Sequence, residues 1–431
     1  MSPRRRLLLL LTTLTVLAVP AVVLRAACVG KSCPASPPAT RPPAFCGLPE
    51  ENHALIAAGF RDARSPDVLA FGQVVAEVDG GIVTWSMDPD VTEVPLVFLG
   101  PAVRAGELPP GVVLDRVAPT LAESAGLRRP HTEDRSGTPV PGVLRPGDPP
   151  PLLVIVVWKG VGTAELTRDR TAWPGLRALA RDGASTMQAR TGSVPVDPAA
   201  VLSTIGSGAL PSQHGVTGSL LRAPDGGVVA AWSRSAPLPV IAFLGDDLDE
   251  RTDQRSRIGL VAAAPSDRGL IGGTWYLGHD RDDVVLRRPP LEALADLLDS
   301  GYGAADGTVD LVGVTLHGPI RSMDHATTAI VRLVRQRVPD TTLAITATGD
   351  AGLTSDGVPV DALVTEMQQE IAVVDVVAAA GSTGLFLDPV RAGVGKISDQ
   401  VAAQALERAG ARLGADIVSF PGYSVTLRRF C

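Results

Sequence analysis

Lysine is nearly missing from this 431-residue chain: among 39 basic residues only Lys31, Lys159 and Lys396 are not arginine. An excess of positive charge is missing too. The formal charge is −7, with arginines interspersed among acidic residues, which excludes the basic face that nucleic acid binding requires. Aromatic residues make up 4% against a hydrophobic content of 45%, so the core has to be built from Ala, Val, Leu and Gly. That composition points to a globular α/β protein, long enough for a large core and, by length, for two or three domains. A P-loop is also absent, since Gly30-Lys31-Ser32 lacks the upstream glycine and the strand–helix context.

The chain opens with a targeting segment. Arg4-Arg5-Arg6 precedes the apolar run Leu7–Leu24, which reads as a signal peptide or a retained N-terminal membrane anchor over residues 1–27. The run is at the short end of what spans a bilayer. Arg25 sits three before Cys28, where a lipoprotein signal would want an aliphatic residue, so the retained anchor is slightly favoured. Either way the remainder is expected outside the cytoplasm, on the membrane or secreted. The four cysteines, Cys28, Cys33, Cys46 and Cys431, fit an oxidising compartment. Three connectivities are open, and the favoured one pairs Cys28 with Cys33 as a local loop and Cys46 with Cys431 as a staple between the ends. Residues 28–48 form a proline-rich linker, and 49–431 the folded part.

Pro151–Gly218 organises that part. Leu152–Trp158 is a short, continuous apolar run that suits a strand buried on both faces. A glycine-bearing turn follows, then a helix over Trp173–Arg181, then Leu210-Pro-Ser-Gln-His214-Gly-Val-Thr-Gly218. Strand, turn and helix in that order open a mainly parallel sheet with helices on both faces, and ligands in such sheets sit beyond the carboxyl ends of the strands. The residue at that point is Lys159. Further strands are expected at Pro66–Phe71, Val94–Pro101, Ile258–Ala264, Leu270–Leu277, Val309–Leu316, Thr342–Thr348 and Asp416–Val425, and helices at Leu114–Gly126, Leu291–Leu298 and Met323–Arg337. His131–Pro151 reads as a polar connector.

The segment Leu210–Gly218 and the helix Trp173–Ala184 together resemble the alkaline phosphatase superfamily, most closely its type I phosphodiesterase/nucleotide pyrophosphatase branch. Val94–Pro101 with Leu114–Gly126 resembles that family's C-terminal section, which here precedes the nucleophile segment instead of following it. The resemblance therefore implies a circularly permuted domain: a permuted section over 49–130, a connector over 131–150 and the main core over 151–431. A separate N-terminal α/β domain is the alternative. Asp67–Phe71 and Asp416–Phe420 look alike, as though the cut strand had been duplicated.

The resemblance also implies two divalent metals and a Thr or Ser nucleophile. Where the family has a metal-binding Asp after the first strand, this chain has Lys159, either a solvated turn residue or a fixed cation able to hold an anionic ligand. At the nucleophile position stands Pro198, beside Asp197, which as Asp-Pro at a helix start is first a cap. Ser193 and Ser203 are off register. After Leu316 only His317 remains of the family's Asp and His pattern, with Asp324 and His325 expected as surface groups. The last metal pair is reduced to Asp350. The weak metal candidates are thus Asp350, His317 and Asp197, too few for two ions, and no cofactor is expected.

Three readings follow. The leading one is an extracytoplasmic, membrane-associated phosphodiesterase-like pseudoenzyme with a degenerate site, a binding or scaffold module. A second is an active metal-dependent phosphoric ester hydrolase whose rebuilt site uses zinc or manganese with help from His279, Asp280, Asp282 and Asp283. The third is a structural partner of a cell-envelope protein, with no small ligand.

Overall fold

The computed structural model describes residues 44–78, 81–273, 275–276, 282–349 and 357–431. The targeting segment, Cys28 and Cys33 lie outside the described residues, as do His279, Asp280 and Asp350.

In chain order the strands are β1 (Val68–Gly72), β2 (Val74–Val78), β3 (Gly81–Thr84), β4 (Glu93–Leu99), β5 (Gly106–Glu107) and β6 (Leu152–Trp158). Then come β7 (Ala184–Arg190), β8 (Leu220–Arg222), β9 (Val228–Ala230), β10 (Ile258–Ala262), β11 (Asp283–Leu286) and β12 (Asp310–Leu316). The last are β13 (Thr342–Ala347), β14 (Val358–Pro359), β15 (Val377–Gly381), β16 (Gly384–Leu387) and β17 (Ile417–Pro421). An eight-stranded sheet has the order β11-β10-β12-β6-β13-β4-β7-β5. All its neighbours pair in parallel except the two pairings of β4, which runs against β13 and β7. β6, β12 and β13 are buried at every residue, so both faces of the sheet are covered. The helices Val117–Ser124, Pro198–Ser207 and Leu244–Thr252 pack on one another. The helices Pro174–Asp182 and Pro290–Asp299 pack against Ile320–Arg337. The fold class is α/β, as the sequence predicts.

β4 carries Pro95, a residue that cannot donate to a ladder. The strand tolerates it because the register with β7 shifts between Val94 and Leu96, leaving Pro95 at a bulge. Its carbonyl is used, accepting from Thr346 Oγ1 at 2.7 Å. The predicted strand at Leu270–Leu277 is not formed over its described residues. Pro265–Leu270 is a 3-10 helix, and Gly272 (φ 85°) and Gly273 (φ 100°) carry the chain away in a conformation that no strand uses.

A second, antiparallel sheet has the order β15-β16-β1-β17. The two look-alike strands are neighbours in it: Val68 faces Pro421 and Phe71 faces Val418. Beneath them Phe45, Ile56, Phe60, Phe71, Phe420 and Val425 form a separate apolar cluster. Cys46 and Cys431 are bonded to each other, their Cα atoms 5.2 Å apart. That pairing agrees with the favoured connectivity.

Candidate functional site

The registers of the large sheet set its carboxyl edge. Leu316 pairs with Trp158 and Ala347 pairs with Trp158, so β12, β6 and β13 end side by side. The residues that step over this edge are His317, Lys159 and Thr348. Lys159 is 9% exposed, and its Nζ donates to Asp267 Oδ1 at 2.7 Å. It is therefore no solvated turn residue. Asp267, fully buried, lies in the 3-10 helix that follows β10, where Oδ2 accepts from the N–H groups of Ala263 and Ala264, both at 3.1 Å. Thr315 Oγ1 donates to the same oxygen at 2.6 Å. One row of side chains thus spans the loop after β10, the end of β12 and the end of β6. On the far side, Thr348 Oγ1 accepts from Gly160 N–H at 2.9 Å.

Asp197 caps the helix Pro198–Ser207, and Pro198 sits at its first position, as the Asp-Pro pair predicts. The carboxylate is fully buried. Oδ1 accepts from Ala199 N–H (2.9 Å), Ala200 N–H (3.4 Å) and Ser219 Oγ (2.9 Å). Oδ2 accepts from Ser219 N–H at 2.9 Å and from the Ser382 hydroxyl. Five donors use up its lone pairs, which leaves Asp197 little capacity for a metal. Ser203 Oγ donates back to Ala199 O at 2.7 Å, and Ser193 Oγ is buried without a hydrogen-bond partner.

His214 is fully buried, and its Nδ1 accepts from Val216 N–H at 3.1 Å. That places its proton on Nε2, 3.2 Å from Thr204 Oγ1. Burial, with Arg64 and Arg61 nearby, pushes its pKa down to about 3. Below pH 6.5 the unfolded chain takes up a proton that the folded protein refuses until about 3, so His214 lowers stability progressively as pH falls through that window. Asp246, pushed up to about 6 by burial, has the opposite sign: it favours folding below its ordinary value and loses that contribution as pH rises to about 6. His214→Asn isolates the first effect. The variant's stability between pH 6.5 and 3 is expected to fall less steeply than the wild type's, by up to about 1.4 kcal/mol per pH unit. Parallel denaturation profiles for the two proteins would contradict a buried neutral histidine.

The other candidates are scattered or already committed. His317 is exposed. His325 is exposed as predicted, but Asp324 is not a surface group: it is buried and accepts from Gly175 N–H (2.9 Å) and Leu176 N–H (2.7 Å). It caps the helix Pro174–Asp182 from a neighbouring helix, so burial carries no unsatisfied charge. Asp282 pairs with Arg268 at 2.7 Å, and Asp283 accepts from the Tyr302 hydroxyl at 3.0 Å. Among the described residues, the trio whose possible ligand atoms lie within 4.8 Å of one another is His131, Glu133 and Asp134, all exposed, in the segment between the Val117–Ser124 helix and β6. Among the described residues the donors at the sheet's carboxyl edge do not fit a two-metal centre: Lys159 is an ammonium, and Asp267 accepts from it, from two N–H groups and from the Thr315 hydroxyl.

One polar cluster escapes a reading of the sequence. Arg129 and Arg135 both reach the fully buried carboxylate of Asp247, at 2.6 and 3.4 Å, and Tyr276 OH lies 3.3 Å from its other oxygen. Arg129 also donates to Ser207 O, at the end of the Asp197-capped helix, at 2.8 Å. The polar connector that begins at His131 is thus tied down near its start, by Arg135.

No family model and no curated protein matches the chain. Among solved structures it is similar to alkaline phosphatase PafA, with 12% identity and a TM-score of 0.43 over 61% of this chain and 78% of that one.

Proposed function

We propose that this chain is a non-catalytic binding or scaffold module of alkaline phosphatase-like fold, held on the outer side of a membrane by its N-terminal segment. The observation that carries this reading is the buried Lys159–Asp267 pair at the carboxyl edge, where the chemistry of such a fold would need open carboxylate and imidazole ligands. Because Asp267 already answers the Lys159 charge, the reading favours a cell-envelope protein over a small anion as the partner at this edge. The Cys46–Cys431 bond supports an oxidising, extracytoplasmic location.

Circular permutation belongs to the same proposal. It is supported by β4, from the early section of the chain, lying in the large sheet with only β13 between it and β6. The ends of the folded part are joined by the Cys46–Cys431 disulfide, a favourable arrangement for exchanging old termini for new ones.

Metal content of the purified full chain, after incubation with zinc and manganese and removal of excess ions, tests the reading. The expected result is far less than one ion per chain and no hydrolysis of a chromogenic phosphodiester. One or two retained ions, with hydrolysis abolished by Asp350→Ala, would replace the proposal with the hydrolase reading.

A further inference from the structure

We infer that the Lys159 ammonium is a built-in counter-ion, standing at the point where a divalent cation would otherwise tie the strand ends together. Asp267 is fully buried, and a buried carboxylate needs charge as well as hydrogen bonds. Its partners at Oδ2, the Ala263 and Ala264 N–H groups and the Thr315 hydroxyl, supply dipoles only. Lys159 supplies a full positive charge at Oδ1, 2.7 Å away.

The geometry makes this pair more than a local contact. β12 lies between β10 and β6, so an ion pair from the loop after β10 to the residue after β6 must reach across the end of β12. Thr315, on β12, is hydrogen-bonded into the same carboxylate and also accepts from Ala263 N–H at 3.0 Å. The Asp267 carboxylate, neutralised by the Lys159 ammonium, therefore joins three adjacent strand ends. The residue type agrees. In a chain that otherwise uses arginine, this position has one of the three lysines, and an ammonium is a compact point charge whereas a guanidinium is a broad planar fork. This inference goes beyond the proposed function, since it concerns what holds the edge closed and not what the module binds.

Three variants of the full chain test it by chemical denaturation. Lys159→Met leaves Asp267 buried without the ammonium and is expected to lower the folding equilibrium constant by about a hundredfold or more. Lys159→Met combined with Asp267→Asn removes both charges while keeping an acceptor for Thr315, and is expected to recover all but about tenfold of that loss. Lys159→Asp creates a carboxylate pair, which is expected to be unstable in chelator and to gain thermal stability on adding manganese or zinc at concentrations that leave the wild type unchanged. A double variant no more stable than Lys159→Met overturns the inference, and so does a folded Lys159→Asp variant that responds to neither metal. If Lys159→Asp does not fold at all, the double variant alone decides. Stoichiometric metal on the wild type would instead strike at the proposed function, leaving the outcome of this cycle separately readable.

Discussion

Replacing Asp247 by alanine is expected to cost the upper end of about 3–5 kcal/mol, the range for removing one partner from a buried ion pair. The carboxylate and both guanidiniums are almost entirely shielded from water. Arg135 is already disfavoured as a cation, first by burial and then by Arg129 beside it, and Asp247 leads the groups that oppose this, ahead of Tyr276 and Asp134. Without the carboxylate two cations face each other across a dry space. Arg129 would still hold Ser207 O, so the helix end is kept while the charge balance is lost. Asp247→Asn retains an acceptor and is expected to lose less. Urea denaturation of the two variants against the wild type checks the order, and an Asp247→Ala variant within about 1 kcal/mol of wild type would mean the cluster contributes little beyond a surface pair.

Loss of the Cys46–Cys431 bond is the second large effect, expected at about 2–5 kcal/mol and toward the top of that range. The bond spans a sequence separation of 385, so it closes nearly the whole folded part into one loop. Opening a loop that long returns the most entropy to the unfolded chain. The local effect is separate. Phe45, next to Cys46, packs edge-on against Phe420 with centroids 5.3 Å apart, and its carbonyl lies 2.6 Å from His53 Nε2. Cys431→Ser is therefore expected to lower the denaturation midpoint and to make the segment around Phe45 the first site of proteolytic cleavage. Cleavage elsewhere, with an unchanged midpoint, would show that the apolar cluster holds the ends together unaided.

The parts of the fold that the sequence makes legible are those whose physics is local. β6, β12 and β13 stand out because a strand buried on both faces must be apolar throughout. Asp197 reads as a cap because Asp-Pro before a helical run is complete within three residues. Groups whose role depends on distant partners are misread. Asp324 looks like a surface residue until the Pro174–Asp182 helix is seen to start on it. Asp267 has no signal of its own, since its meaning comes from Lys159 on one strand end and Thr315 on another. The 270–277 stretch has strand-like composition, but Gly272 and Gly273 turn the backbone out of line. For the candidate site, Lys159 at the end of β6 is plain in the sequence, whereas its ion pair with Asp267 is not.

The pairing of β1 with β17 has a consequence for how this protein is made. Of the described strands, β1 is made first and β17 last. At ordinary rates of synthesis the wait between them is on the order of tens of seconds. Through all of it the apolar residues Val68, Leu69 and Phe71 lack their final neighbour. The small sheet is thus completed late, which makes it a natural stretch for a chaperone to hold and for aggregation to begin if none does.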